Sequence, residues 1–174
     1  IILGVMGVNY SSIIKFWEKR KRLKVHTTSI KNQTDLTTLR DNINCDILLN
    51  ALNSNKPIIE NFVDSSKYPF TQGREVNSLI CVLLSTKSRK YGLVLIEHKY
   101  YNAFDDENLR LLEIISRQVG IAMENAELYQ RMQELATIDG LTGVYNRVYF
   151  HEKLQKEFAD AKDGEYPLSL AIFD

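Results

Sequence analysis

The sequence predicts an α+β fold in which an antiparallel sheet is flanked by helices. Two pairs of apolar runs, each interrupted by a polar turn, are typical of adjacent antiparallel strands. The order of strands, helix and strands in residues 12–98 favours a sheet covered by helices. A further helical pattern begins near Asp105 and continues without proline to about Thr137, which is longer than a small domain needs.

The two strand pairs differ in the strength of their signal. Residues 12–30 contain two half-alternating runs around a charged tip, which predicts a β-hairpin. The second pair is stronger, with strands at 78–86 and 91–98 that are each buried on at least one face. Between the pairs we expect a helix over about 44–53 and a short strand at 58–62, and the polar segment 64–75 is the expected mobile loop.

Composition excludes several classes of protein. Lys plus Arg and Asp plus Glu number 22 each in 174 residues, so no global field favours nucleic acid or anionic lipid as a leading partner. No apolar run reaches the roughly 18 residues of a membrane span, and the opening "IILGVMGV" lacks the features of a signal peptide and resembles the end of a helix. Cys45 and Cys81 are far apart in sequence, which favours reduced thiols and a cytoplasmic location.

The long helical pattern carries two apolar seams, which lie on nearly opposite sides of a helix, so one sheet cannot cover both. The first seam repeats by sevens and includes small residues, which favours a parallel homodimer along it. The second seam runs through Ile114, Ile121, Leu128 and Leu135. The alternative is a helix buried all round, although its polar residues argue against that. The first seam, predicted as the dimer interface, consists of Leu112, Ile115, Val119, Ala122, Ala126 and Tyr129.

Residues 91–129, "YGLVLIEHKYYNAFDDENLRLLEIISRQVGIAMENAELY", resemble the last two elements of GAF domains, which are PAS-like sensor domains. Together with the preceding strands and helix, the resemblance covers the chain to about residue 130. It implies a GAF sensor domain over 1–128 whose first helix lacks its start. It also implies a signalling and dimerisation helix over 105–138 that overlaps the end of that domain.

The stretch that follows, "DGLTGVYNRVYF", resembles the opening of GGDEF domains, the diguanylate cyclase family, with departures at Val144 and Val148. A helix and the segment "YPLSLAIFD" fit the first helix and strand of that fold, so 139–174 would be an N-terminal fragment of it. By residue type alone this stretch is a fixed turn with capping side chains and a glycine at positive φ. The junction motif comprises Asp139, Leu141, Thr142, Gly143, Asn146 and Arg147, of which Asp139 and Arg147 are candidates for an ion pair.

The second resemblance implies that the intact protein joins two GTP molecules into cyclic dimeric GMP with Mg²⁺. Asp174 matches the first metal carboxylate of that family, and its other catalytic residues would follow residue 174. The fragment itself is therefore expected to be inactive, and whether the parent is an enzyme stays open. The alternative is a degenerate cyclase domain that binds nucleotide or only dimerises. A GAF sensor of a histidine kinase is a third option, disfavoured because no H-box follows the helix.

The GAF resemblance implies a small-molecule site between the sheet and its helices, but the ligand is unknown. The cyclic-nucleotide pattern of some family members is not reproduced by "FDDEN". His26 and His98 are candidate haem ligands, and Cys45 and Cys81 candidate bilin or redox cysteines, although ordinary packing or solvent exposure is the favoured role of each. An empty domain that only dimerises stays an alternative. The basic run "KRKRLK" is expected to be a solvated tip more than a nucleic-acid or membrane contact.

Overall fold

A computed structural model describes residues 7–171, so the expectations about residues 1–6 and Asp174 lie outside the described residues. The chain divides into two compact units, residues 1–124 and 125–174. Short 3-10 turns occupy Glu18–Arg20 and Pro69–Thr71. The main elements in chain order are β1 (Tyr10–Trp17), β2 (Arg22–Thr28), α1 (Gln33–Asn42), α2 (Asp46–Ser54), β3 (Ile58–Glu60), β4 (Ser78–Ser85), β5 (Lys90–His98), α3 (Asp106–Thr137) and α4 (Arg147–Asp163).

The sheet has five antiparallel strands in the order β2-β1-β5-β4-β3. Both predicted hairpins are confirmed, and β5 lies at the centre between β1 and β4. The predicted helix before β3 and the short strand β3 itself are also confirmed. The fold class predicted from the sequence is therefore correct for the first unit.

The sheet is buried on both faces, which explains why β4 and β5 read as nearly continuous apolar runs. One face packs against α1, α2 and the segment before β4, and we call it the inner face. The other packs against α3, and we call it the outer face. Fully buried side chains of the inner face include Ile14, Leu79, Cys81, Leu93 and Leu95, and those of the outer face include Ile80, Leu84, Val94, Ile96 and Leu112.

Two features of the first unit differ from the sequence prediction. Helix α1 was missed because it is rich in Thr, yet Asn32 caps it by accepting hydrogen bonds from Thr34 N and Asp35 N at 2.9 and 3.2 Å. The segment 64–75 was predicted to be mobile, but Phe70 and Thr71 are buried in it. The segment is mostly polar, but Phe70 packs on the inner face and fixes it there.

The long helix is confirmed as α3, but the predicted dimer seam needs correction. Leu112 is fully buried against the outer face, and Val119 packs on the same cluster. Their side chains fill the core of this chain, so Leu112 is not available to a partner helix. Ile115 is half-buried, whereas Ala122, Ala126 and Tyr129 farther along the seam are exposed.

The second unit consists of the last part of α3, a turn, α4 and the segment after it. The predicted helix is confirmed, but the strand expected from Tyr166 onward is not formed in residues 166–171. Leu168 and Leu170 instead line an apolar groove beside Leu154 and Phe158 of α4. A strand needs a hydrogen-bonded neighbour, and the described part of the second unit has no strand to provide one.

Candidate functional site

The inner face of the sheet holds one buried ion pair, between Arg74 and Glu97. The guanidinium contacts the carboxylate through two hydrogen bonds, Nη1 to Oε2 at 2.5 Å and Nη2 to Oε1 at 3.0 Å. Nη2 also donates to the Phe70 carbonyl oxygen at 2.6 Å, and the guanidinium carbon lies 5.2 Å from the Tyr10 ring centroid. Both charged side chains have an exposed fraction of 0%. The pair therefore lies in an interior that water does not reach.

The surroundings of this pair determine what it can do. Burial raises the pKa of Glu97, and the charge and hydrogen bonds of Arg74 oppose that rise. Arg74 Nε is buried without a hydrogen-bond partner among the described atoms. A fixed guanidinium with an unused donor suits recognition of an acidic group more than catalysis. We take the inner face around Arg74 as the candidate ligand site.

Glu97 and Arg74 were missed by the sequence analysis, although one of them left a signal. Glu97 interrupts the apolar run of β5, and alternation with Leu93 and Leu95 places it on the inner face. A carboxylate at such a position requires a partner. Arg74 comes from an irregular segment, whose course over the sheet has no periodic pattern to reveal it.

The two candidate histidines lie on different strands, whereas Cys45 packs against the inner-face cluster that contains Cys81. His26 is exposed on the edge strand β2. His98 ends β5, where its Nδ1 accepts a hydrogen bond from Tyr100 N at 3.0 Å and its ring contacts Phe104. Cys81 is fully buried on the inner face, and burial, with smaller effects from Cys45 and Glu97, raises the pKa of its thiol strongly. A protonated buried thiol is a poor nucleophile, which disfavours covalent attachment at Cys81.

A second functional contact joins the sheet to the long helix at the β4–β5 turn. A Cβ built on Gly120 of α3 would lie 2.8 Å from the Ser85 carbonyl oxygen, so the helix approaches the end of β4 closely. One turn further along, the Glu124 carboxylate accepts hydrogen bonds from Ser88 Oγ at 2.5 Å and Thr86 Oγ1 at 3.3 Å. Movement of this turn would therefore reach the helix directly.

The seam of α3 opposite the sheet is exposed. Ile114, Ile121 and Leu128 are each exposed by 42% or more, and Leu135 by 83%. These residues repeat every seven positions and form one apolar stripe along the exposed side of the helix. The first residues of the seam chosen for the dimer, Leu112 and Val119, therefore belong to the core, whereas the second seam is exposed.

The junction motif forms a closed turn between α3 and α4. Asp139 Oδ1 accepts hydrogen bonds from Thr142 N at 2.9 Å, Thr142 Oγ1 at 2.8 Å and Leu141 N at 3.1 Å, and these bonds lower the pKa of Asp139. Gly143 has a φ of 72°, as predicted. Its N–H donates to the Asp139 carbonyl oxygen at 2.9 Å. The turn therefore has the fixed geometry that its residue types indicated.

Asn146 ties this turn to both helices. Its side-chain NH₂ donates to the Ala136 carbonyl oxygen at 2.7 Å near the end of α3, and its Oδ1 accepts from Tyr149 N at 2.9 Å as the N-cap of α4. The suggested ion pair between Asp139 and Arg147 is absent from the described residues, where Asp139 Oδ1 instead accepts hydrogen bonds from Thr142 and Leu141. Leu141 is almost fully exposed.

Metal binding and membrane insertion find no support in the described residues. Within residues 7–171, no group of three or more His, Cys, Asp or Glu side chains could hold a metal ion, and Asp174 lies outside that range. Among the helices of that same range, none combines the length and apolar character required to cross a bilayer.

Comparison with solved structures places this architecture among GAF domains. The fold matches a GAF domain from Synechocystis in its photoproduct state at 15% identity and a TM-score of 0.62, covering 76% of this chain and 92% of that one. It also matches the GAF domain of a two-component sensor histidine kinase from Bacillus halodurans at 15% identity and a TM-score of 0.56, covering 74% and 90%. At these identities the matches establish the fold alone.

A third similar structure is the GAF domain of a phosphoenolpyruvate-protein phosphotransferase from Acinetobacter, at 13% identity and a TM-score of 0.56, covering 75% of this chain and 79% of that one. No curated protein matches the sequence. The family model described as "GAF domain" matches residues 5–125, which is more than half of the chain and coincides closely with the first compact unit. The chain belongs to the GAF domain family.

Proposed function

We propose that the chain is the sensory region of a signalling protein, in which the GAF domain controls a diguanylate cyclase domain through α3. The observation that supports this most directly is the closed turn at residues 139–146. It follows the long helix at the position where the resemblance to GGDEF domains places the junction, and Asn146 bonds there to the ends of both helices. The Asn146 bonds to both helices would carry a movement of α3 into α4.

The route of the signal begins at the inner face of the sheet. A small molecule with an acidic group would compete with Glu97 for Arg74, where the inner face already accommodates a buried charge. Glu97 lies in β5, and β5 leads back to the turn that contacts Glu124. A differential binding energy of about 1–3 kcal/mol between two states of the domain would change output by about 5- to 150-fold.

The output requires two copies, because each GTP of the proposed reaction is attacked by the other. We propose a parallel homodimer along α3, with the seam moved from the one predicted by sequence to Ile114, Ile121, Leu128 and Leu135. The exposure of all four side chains supports this assignment. Ala122, Ala126 and Tyr129 of the original seam are also exposed, but they lie on a different side of the helix.

The experiment that tests the proposal is an activity assay on the protein at its native length. Incubation with GTP and Mg²⁺ should yield cyclic dimeric GMP, detected by mass spectrometry of the filtrate. The variant Asn146→Ala should show a smaller increase of cyclase activity on dimerisation. It removes the hydrogen bond from the Asn146 side chain to the Ala136 carbonyl oxygen, which connects α3 to α4. Lack of product under conditions where GTP is bound would refute the cyclase assignment.

That outcome would support the second candidate, a degenerate cyclase domain that binds GTP or cyclic dimeric GMP without turnover. The exposed apolar groove between α4 and residues 166–171 favours neither candidate, since both need a complete second domain to cover it. The ligand of the GAF domain is tested separately. Mass spectrometry of the purified chain under native conditions should detect a small acidic molecule, and Arg74→Met should abolish its retention.

A further inference from the structure

The tip of the β1–β2 hairpin, residues 17–22, and the adjoining Lys24 form a surface that the proposed function leaves unused, and we call it the basic tip. Within a chain of zero net charge it carries five cations against one carboxylate, Glu18. All of these cationic side chains are exposed. Glu18 is drawn away from them, because its Oε2 lies 3.4 Å from Arg89 Nη2 of the β4–β5 hairpin. The charge of the basic tip is therefore concentrated and locally uncompensated.

Trp17 gives the basic tip an amphipathic character. Its side chain has an exposed fraction of 43%, and it is the single tryptophan of the chain. The guanidinium carbon of Arg20 lies 4.5 Å from the ring centroid, so a cation and a large apolar ring are presented together. Exposed Trp beside Lys and Arg is the combination found where proteins meet the membrane–water interface.

The backbone of the basic tip holds a cation at a sterically costly position. Lys21 adopts the left-handed conformation with φ 49° and ψ 41°, where Gly or Asn is favoured. Lys24 lies directly opposite Lys15 across the hairpin, and like charges at such positions are destabilising. The left-handed conformation of Lys21 therefore keeps a cation in the tip at a cost in backbone strain.

We propose that the basic tip docks peripherally on an anionic lipid surface, with Trp17 entering the interface and the cations contacting the headgroups. The tip belongs to the edge pair of the sheet, β1 and β2, whereas the buried part of α3 packs mainly on β4 and β5. A single-stranded nucleic acid is less suitable, because such sites combine a groove with several stacking rings. Here Trp17 is the one aromatic of the tip, and Arg20 covers its ring.

The single tryptophan makes the test direct, because its fluorescence reports on the basic tip without a label. With the complete chain and vesicles of phosphatidylcholine containing about 30% phosphatidylserine, we expect a blue shift of emission and quenching by brominated acyl chains. Vesicles of pure phosphatidylcholine should give neither effect. Raising the salt to about 0.5 M should reverse the binding, because the attraction is electrostatic.

The matched variants separate the tip from general charge. Lys19→Glu with Lys21→Glu should weaken co-sedimentation with the anionic vesicles by at least roughly 30-fold, from a factor of about 5 for each lost cation. Lys31→Glu with Lys156→Glu makes the same change of net charge outside the basic tip, on exposed lysines, and should leave binding within about 2-fold. Circular dichroism checks that both double variants are folded. The fluorescence test uses the wild-type chain and does not depend on the folding of either variant.

Three results would overturn the proposal. The first is an unchanged Trp17 emission with no sedimentation on anionic vesicles. The second is equal loss of binding in the tip variant and its control. The third is a shift of Trp17 emission by a short oligonucleotide without any by the vesicles, which would assign the basic tip to nucleic acid. Because the proposal does not involve GTP or cyclic dimeric GMP, failure of the proposed function leaves it unaffected.

Discussion

Arg74 and Glu97 form a pair whose two members depend on each other. Arg74→Met leaves the Glu97 carboxylate in an apolar interior without its partner, and removal of one member of a buried pair costs about 3–5 kcal/mol. We expect urea unfolding of Arg74→Met to show a loss of that size. The double variant Arg74→Met with Glu97→Leu should be less destabilised than Arg74→Met alone, because no unpaired charge remains.

An exposed ion pair provides the control for that cycle. Lys153 and Glu157 are one helical turn apart on α4, with 2.8 Å between Nζ and Oε1, and both side chains are partly solvated. Lys153→Met should leave the midpoint of urea unfolding close to that of the wild type, because exposed ion pairs add little stability. Two results would disprove the interdependence of Arg74 and Glu97. One is a similar loss of stability in Arg74→Met and Lys153→Met. The other is a loss in the double variant equal to the sum of the losses in Arg74→Met and in Glu97→Leu alone.

Gly92 is the residue where the backbone leaves no room for a side chain. Its φ is 150°, and a Cβ built on it would lie 1.9 Å from the Ile14 carbonyl oxygen of the neighbouring strand. Gly92→Ala must therefore shift the pairing of β1 with β5. We expect a loss of at least about 1–3 kcal/mol in urea unfolding from backbone strain alone. Gly140→Ala, where no atom lies within 4 Å of the added Cβ, should be close to neutral.

Among the elements, α3 offers a direct test of the proposed dimer, because one charged residue introduced in its exposed seam should disrupt the contact. Ile121→Glu places a carboxylate in the middle of the proposed dimer contact, so we expect the mass in solution from light scattering to fall from dimer to monomer. Gln133→Glu introduces the same charge on another side of the exposed helix and should preserve the dimer. A wild-type chain that is monomeric at all concentrations would contradict the dimer itself.

The turn after α3 has a titration of its own. Hydrogen bonds from Thr142 and Leu141 stabilise the ionised form of Asp139, so its pKa is lower in the folded chain than in the unfolded chain. The stability of the turn is therefore present above the unfolded pKa and is lost as pH falls through the folded pKa. NMR titration of the Asp139 carboxyl carbon should give a midpoint below the ordinary value of about 3.9.

Thr142→Val tests the cause of that shift. It removes the hydroxyl that donates to Asp139 Oδ1 at 2.8 Å but keeps the backbone N–H, so the midpoint should move upward part of the way to the ordinary value. Thr137→Val removes a hydroxyl that bonds within α3 and should leave the midpoint unchanged. A midpoint that ignored both substitutions would show that the bonds to Asp139 are weaker than their geometry indicates.

The elements were predictable where local chemistry decides and unpredictable where long-range contacts decide. The hairpins, α2 and the capped turn at Asp139 follow from periodicity and residue type. Which seam of α3 meets the sheet does not, because both seams are apolar and only the three-dimensional fit of Gly120 against Ser85 distinguishes them. Arg74 was hidden for the same reason, since its partner lies 23 positions away in sequence.

For the whole molecule, burial differs along the chain in a way that hydrogen exchange can measure. The central strands β4 and β5 are buried on both faces and should exchange only on global unfolding. Residues 168–171 belong to no strand or helix, so their amides should exchange fast. The amides of residues 168–171 should exchange faster than those of β4 and β5 because no neighbouring strand in the described part of the chain accepts their hydrogen bonds.

Amide exchange should be slow in the first part of α3 and fast in its last part. The exchange of the last part also distinguishes a monomer from a dimer. Its first part is anchored through Leu112, Ser116 and Gly120, which are buried against the sheet. Residues 128–136 are exposed all round, so in a monomer their amides should be protected weakly. If two copies pack along Leu128 and Leu135, protection of this part should rise with protein concentration while that of β5 stays constant. Protection of residues 128–136 that is high and independent of concentration would rule out dimerisation as its source, and Ile121→Glu should abolish the concentration dependence without affecting the sheet.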